Sequence, residues 1–362
     1  MSRFYKHIVK PILFQFDAEK IHHLTTDLSN RPIIADMLSQ IESIPDGRNS
    51  LLTYESDQLK VPNPVGLAAG FDKNATLAEF CNALGFGFRE VGSITAKPSS
   101  GNPKPRLFRI PEDNGLINRM GLNNDGADII QKRIQSASDK PGVNIAKTHD
   151  PKIEGQAAID DYVYSFNKLA PVARYITVNV SCPNTAEGKT FESPETLEEL
   201  LSALSAERTD TTPPVFIKFS ADLDQRTLAQ LLQITEDHNV DGYVCCNTST
   251  DRASLATSPN QLHDIGKGGI SGRPVHRKSC EMLKFIREQT PSPRILTGVG
   301  GISSAEDAQE LIASGADLVQ LYTGLVYEGP GLVRRIQKGL ISLMENYGLN
   351  SYTELKEFLR SN

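Results

Sequence analysis

The sequence predicts an α/β fold, a (β/α)8 TIM barrel with a small N-terminal helical extension. Three observations predict it. Eight short apolar runs recur between residues 63 and 324, most of them followed by an amphipathic helical pattern. Together with the helical patterns that follow them they occupy about 280 residues, which suits such a barrel. A doubly wound open sheet is the other α/β solution, but the GxGxxG usual in its first strand–helix turn is missing.

Composition bounds the rest. The chain has 362 residues, 39% of them hydrophobic and 23% charged, enough for a packed core. Net charge is −6 with no long basic run, which argues against a nucleic-acid partner. The five cysteines, Cys81, Cys182, Cys245, Cys246 and Cys280, show no CxxC spacing, so a reducing compartment is expected. No apolar run reaches the ~18 residues that span a bilayer, and the N-terminus does not read as a signal peptide.

Residues 1–45 read as two short helices separated near Asn30-Arg31-Pro32. In the first, Phe4, Ile8 and Ile12 recur at helical spacing beside Tyr5, Val9 and Leu13, interrupted by Arg3, Lys6 and Lys10. A basic amphipathic helix of this kind either lies in a membrane interface or docks on its own domain. His22 and His23 follow without a visible catalytic partner. Residues 46–62 look like a connector, and 63–362 form the barrel with C-terminal helices.

The strands are read from "PVGLAAGF", "REVGSIT", "GVNIAK", "YITVNVSC", "PVFIKFS", "DGYVCCNT", "RILTGVGG" and "DLVQLYTG". Residues 97–125, rich in Pro, Gly and Asn, read as a long loop after the second strand. Cys81 and Cys280 fall on helices and are expected in the core.

Active sites of such barrels sit where strands end and the following loops begin. That rule selects Lys73, Ser93, Asn144, Asn179, Cys182, Lys218, Asn247, Thr248, Gly300-Gly301 and Tyr322-Thr323-Gly324. Polar and glycine residues thus converge where a bland strand would carry Val or Ile. The turns after the seventh and eighth strands suit a phosphate, with Ser303-Ser304 as a helix N-cap and Glu306-Asp307 behind it. Lys73 and Lys218 point to an anionic ring system, to a Schiff base, or to a buried carboxylate partner. Asn118, Asn179, Asn184 and Asn247 supply donors and acceptors for a small planar ligand such as a pyrimidine; singly, each is also a common turn or cap residue.

Eight stretches together resemble the dihydroorotate dehydrogenases. They are "GLAAGFDKN", "KPRLFR", "GLINRMGLNNDG", "NVSCPNT", "NTSTDR", "GGISGRP", "GVGGI" and "LVQLYTG", in order from residue 66 to 324. The resemblance implies an FMN flavin held by Ala69, Gly70, Phe71, Asp72, Lys73, Ser93, Asn144, Asn179, Lys218, Cys246, Gly272, Gly301, Tyr322 and Thr323. It implies dihydroorotate and orotate contacts from Lys73, Asn118, Arg119, Met120, Gly121, Leu122, Asn179, Asn184, Asn247 and Thr248. It places Cys182 as the catalytic base, taking a proton from C5 of dihydroorotate while C6 delivers hydride to the flavin, with Lys73 beside it.

The family has a soluble class, typically with a cysteine base, and a membrane-associated class, typically with serine and an N-terminal helical extension. This chain pairs Cys182 with the extension, "NRMGLNN" and "SGRP". The extension is a whole structural element, so the resemblance implies the membrane class. Its electron acceptor would be a quinone, reached by a tunnel between the helices and the barrel. Contact would be peripheral, on the cytoplasmic side of the cell membrane, by a monomer or homodimer. A fumarate-dependent soluble enzyme, another FMN barrel reductase and a phosphate-binding scaffold are the alternatives. Leu122 and Cys246 stand where phenylalanine and threonine are usual.

Overall fold

Eight parallel strands close into one barrel in chain order: β1 Val65–Leu67, β2 Phe88–Ile94, β3 Gly142–Ile145, β4 Tyr175–Asn179, β5 Val215–Lys218, β6 Gly242–Cys245, β7 Ile295–Val299 and β8 Leu318–Leu321. This is the expected TIM barrel, with each apolar run a strand. The computed structural model describes residues 2–29, 32–40, 49–181, 191–290 and 293–361. The strands read as near-continuous Val, Ile, Leu and Phe because both faces are covered, by the barrel interior and by the outer helices. Those helices show the matching stripe: Pro194–Ala206 buries Leu197, Leu200, Leu201 and Leu204. Three of them, Pro194–Ala206, Gln225–Asp237 and Ala305–Ala313, start on the side-chain caps Ser193, Asp224 and Ser304, the last as expected. Cys81 and Cys280 are buried.

A carboxyl group lies inside the barrel. Glu90 of β2 is fully buried and accepts from Asn144 Nδ2 at 2.9 Å, Gln320 Nε2 at 2.9 Å, and the Tyr175 and Thr177 hydroxyls, each at 3.1 Å. Four donors replace the water it lost.

Residues 97–125 are more structured than expected. Leu107–Ile110 and Gly115–Asn118 pair as an antiparallel hairpin, and Gly269–Gly272 adds a third strand against Gly115–Asn118. The third strand lies far along the chain from its partner, so no local pattern announces the sheet. It holds Asn118 and Ser271 above the barrel mouth. In 46–62, Tyr54–Glu55 pairs with Lys60–Val61. Gln58 Nε2 donates to Asp241 Oδ1 at 2.7 Å, just before β6, which puts this hairpin at the end of the barrel opposite the site.

The extension differs from the expected pair of helices. A first helical stretch runs through Ser2–Phe4, a π-helical Tyr5–Val9 and Lys10–Leu13; Ala18–Ser29 and Pro32–Ser39 follow. The chain turns at 14–17, where Asp17 Oδ1 accepts from the Lys20 amide at 2.9 Å. Asn30 and Arg31, where the break was expected, lie outside the described residues.

One buried ion pair seats this extension. Glu19 is 2% exposed and meets Arg106 side-on, Nη2 to Oε1 at 2.8 Å and Nε to Oε1 at 3.1 Å. Burial alone would raise the Glu19 carboxyl, but hydrogen bonding and charge from Arg106 bring it down to about 2. Its value in the folded chain lies below the ordinary 4.5, so this contribution is present at neutral pH and is lost as pH falls from 4.5 through about 2. Tyr5 Oη also donates to Val326 O at 2.9 Å, and Lys6 meets Glu328 at 2.7 Å. Replacing Glu19 with Gln leaves the Arg106 charge buried and is expected to weaken docking by about 3–5 kcal/mol. Limited proteolysis should then release the extension while the barrel unfolds at its usual temperature; an extension as resistant as in the parent would refute the assignment.

Candidate active site

The C-terminal ends of the strands line two adjoining cavities. The first, about 140 Å3, is bordered by Ala69, Gly70, Lys73, Ser93, Asn118, Met120, Gly121, Leu122, Asn179, Lys218, Asn247, Thr248 and Tyr322. The second, about 80 Å3, is bordered by Ala69, Lys218, Cys246, Gly272, Gly301, Tyr322 and Thr323. Ala69, Lys218, Asn247, Thr248, Ser271 and Tyr322 belong to both, so the two form one cleft.

Polarity within the cleft is relayed from Glu90. Asn144 turns Nδ2 toward Glu90, so its Oδ1 accepts from Ser93 Oγ. Ser93 Oγ in turn accepts from Asn179 Nδ2 at 3.1 Å. Asn179 Oδ1 then faces Ser181 Oγ at 3.1 Å and Asn247 Nδ2 at 3.2 Å. Asn144 is thus buried behind Ser93 rather than bordering the cleft.

The second cavity has the features of an anion cradle. The amides of Gly300, Gly301 and Ile302 meet no acceptor among the described residues. Gly301 has φ +70°, and a Cβ there would stand 2.5 Å from His276 Cβ. Gly272 has φ +93°, and its Cβ would stand 2.5 Å from Asn114 O. Lys218 is 5% exposed and borders both cavities without a carboxylate partner among the described residues. Burial pushes the Cys246 thiol up to about 12, so it remains protonated there. Burial likewise brings Lys73 down to about 8; its ammonium donates to Gly70 O at 2.8 Å.

Other expected residues stand elsewhere. The Asp72 carboxylate points away from the cleft, accepting from Arg89 Nη1 at 2.6 Å and from the Thr76 and Leu77 amides. It ties down the turn before helix Ala78–Leu84 and neutralises a buried guanidinium. Phe71 faces the extension, stacked on Phe80. Arg119 spreads over Phe108 and donates to Ile265 O, to Lys267 O at 3.0 Å and to Pro105 O at 3.1 Å. It staples the sheet beside the cleft. Leu122 borders the cleft with φ 53°, a conformation uncommon for a residue with a Cβ. Cys182 and Asn184 lie outside the described residues. Ser181, just before Cys182, is described, and it bonds both Asn179 and Asn247.

A third cavity of about 450 Å3 lies between the extension and the barrel, lined by Tyr5, Val9, Leu13, Phe14, Ile21, Leu24, Phe71, Leu325 and other apolar groups. Leu107, Leu116 and Tyr322 border this cavity and the first one alike. Two basic side chains border it, His22 and Arg109. His22 packs edge-on against Phe71 at 4.8 Å, and burial, then the Lys73 charge, pushes its imidazole down to about 3, so it is neutral. Arg109 donates to Phe16 O at 2.7 Å, while its Nε is buried without a hydrogen-bond partner among the described residues. Sequence reasoning set His22 aside and did not single out Arg109. "KPRLFR" contains Arg109, but only the docked helix gives either residue a neighbour to act on.

A family model described as dihydroorotate dehydrogenase matches residues 51–344. A Natronomonas pharaonis protein named dihydroorotate dehydrogenase (quinone) is 41% identical over 352 residues, 95% of this chain and 96% of that protein. One of that name from Neisseria meningitidis serogroup C is 39% identical over 347 residues, 94% and 98% of the two chains. The crystal structure of DHODH from Eimeria tenella in complex with ferulenol superposes with a TM-score of 0.82 at 29% identity, covering 94% of each chain.

The cradle makes its own prediction. Replacing Gly301 with Val drives a side chain into His276 and demands a left-handed backbone. A phosphate-bearing ligand should be lost, by about tenfold or more in affinity, with the barrel still folded. Equilibrium dialysis checks this; unchanged affinity would place the phosphate elsewhere.

Proposed function

The chain belongs to the dihydroorotate dehydrogenase family, and from that premise we propose that it oxidises dihydroorotate to orotate in pyrimidine biosynthesis and passes the electrons to a quinone. The observation that carries this reading is the wall shared by a polar and an apolar chamber, formed by Leu107, Leu116 and Tyr322. A charged pyrimidine and a lipid-soluble acceptor need surroundings of opposite character, a short distance apart.

FMN suits the polar side. The unpaired amides of Gly300 to Ile302 fit its phosphate, and buried Lys218 calls for an electron-rich partner. Gly272, Gly301, Thr323 and Cys246 would hold the phosphate and ribityl end. Ala69, Gly70, Lys73, Ser93, Asn179, Lys218 and Tyr322 would hold the ring, with Asn144 fixing Ser93. When bound, FMN supplies the two-electron acceptor for the substrate and the donor for the quinone.

The protein positions the substrate and moves a proton. Asn118, Asn179 and Asn247, with Asn184, offer carboxamide donors and acceptors to the pyrimidine edge. Backbone from Met120 to Leu122 closes over it, and Thr248 completes the rim. Lys73 pairs with the substrate carboxylate. The Sγ of Cys182 takes the proton from C5, its thiolate favoured by the two lysines. Ser181 fixes the chain immediately before it.

The apolar chamber accepts the quinone, with Arg109 Nε and neutral His22 facing its carbonyl oxygens. Phe4, Ile8 and Ile12 are 54%, 50% and 54% exposed along one helical stripe, next to Arg3, Lys6 and Lys10. That stripe rests on the cytoplasmic face of the cell membrane. No described helix is long and apolar enough to cross a membrane, so contact is peripheral.

Three outcomes test the scheme. Replacing Cys182 with Ala should retain flavin and slow its anaerobic bleaching by dihydroorotate by about 10²–10⁴-fold; unchanged bleaching would remove the thiol from the mechanism. Replacing Val9 with Trp fills the apolar chamber and should abolish quinone turnover while bleaching proceeds at the parent rate; quinone turnover at the parent level would sink the quinone site. The Lys73 ammonium is charged below about 8, so orotate affinity should fall as pH rises through that value, and Lys73→Met should remove the midpoint.

A further inference from the structure

The helix after the Gly269–Gly272 strand, His276–Gln289, carries a cluster that the reaction does not use. His276 and Cys280 are four residues apart on that helix, so their side chains share one face. The neighbouring helix, Ala305–Ala313, brings Glu310 against them. His276 Nε2 lies 2.9 Å from Glu310 Oε2 and 3.9 Å from Cys280 Sγ. All three ligand atoms lie within 4.8 Å of one another. A tetrahedral zinc ion with bonds of about 2.0–2.3 Å sets its ligand atoms about 3.3–3.8 Å apart. The triangle present here brackets that size, and the Glu310 carboxylate has only to draw back from Nε2 by a few tenths of an ångström to admit the ion.

We propose that His276, Cys280 and Glu310 bind one zinc ion between these two outer helices. The other ring nitrogen supports the assignment. His276 Nδ1 lies 3.0 Å from Gly300 O, and a carbonyl can only accept, so Nδ1 carries the proton. Nε2, 2.9 Å from the Glu310 carboxylate, shares a proton with it in the metal-free chain and offers its lone pair once zinc displaces that proton, with the carbonyl orienting the ring as outer-shell partners of metal-bound histidines do. An imidazole, a thiolate and a carboxylate suit zinc better than magnesium or calcium, which favour oxygen alone. His276 and Cys280 are buried, whereas the Glu310 side chain is 60% exposed. The ion enters on the Glu310 side and completes its shell there with water. Binding displaces one proton from the Cys280 thiol and any proton on Nε2; no redox change is involved.

The site has a structural consequence. It ties helix His276–Gln289 to helix Ala305–Ala313 and, through Nδ1, to the Gly300 carbonyl at the anion cradle. Gly301 lies so close to His276 that no Cβ fits between them. The zinc assignment does not depend on which ligand that cradle holds.

The experiment uses the full-length protein, stripped with a chelator and titrated with zinc against a chromophoric competitor. One zinc per chain is expected. Cys280→Ser and His276→Gln should each weaken binding by at least about tenfold, a loss that even outer-shell changes can cause. The cobalt-substituted protein should show a thiolate charge-transfer band that Cys280→Ser removes. Zinc should raise the unfolding temperature of the parent and of neither variant; if one variant fails to fold, the other decides. A parent that takes up no stoichiometric zinc, or a stoichiometry and band unchanged in both variants, would overturn the proposal and leave His276 and Glu310 as an ion pair around a proton.

Discussion

The Glu90 carboxyl group sets the polarity of the whole cleft. It is buried at the barrel centre with four donors and no cation among its described partners. A buried acceptor of this kind is tolerated only when its donors are fixed. Fixing them dictates the rest. Asn144 can present only its oxygen outward, Ser93 then has an oxygen free to accept, and Asn179 must turn its nitrogen inward. Asn247 and Ser181 close the chain of donors and acceptors at the rim. A carboxamide is ambiguous in isolation; here its orientation is set several bonds away.

The second organising element is the seat of the extension. The Glu19–Arg106 pair, the Tyr5 hydroxyl and Lys6 hold a helical layer over one side of the barrel mouth. An apolar chamber exists only because that layer is there. Its inner wall is also the wall of the polar cleft. Family membership and this shared wall lead to the same function by separate routes: one from relatives along the whole chain, the other from two solvents kept apart by Leu107, Leu116 and Tyr322.

The two unusual residues of the cleft, Leu122 and Cys246, fit their places without altering its character. Leu122 supplies an apolar surface from a left-handed backbone position, flanked by Gly121 in the same region. Cys246 is small, buried and held neutral, so it fills space beside Lys218 rather than adding charge. In the proposed scheme the chemistry therefore falls to the lysines, the carboxamides and Cys182.

The sequence by itself determined the barrel. Strand identity rests on short apolar runs, helix identity on a repeating stripe, and turn identity on glycines and caps, all properties of neighbours along the chain. Parallel closure in chain order follows from their alternation, and it brings the strand-end residues to one rim. Tertiary structure alone decided what distant residues do to one another. It paired Gly269–Gly272 with Gly115–Asn118, turned Asp72 and Arg119 from expected ligand contacts into staples, and broke the extension at 14–17. It also placed His22 and Arg109 in one apolar chamber. The reason is physical: backbone periodicity is written locally, whereas the direction of a charged side chain is set by whichever partner packing brings within reach.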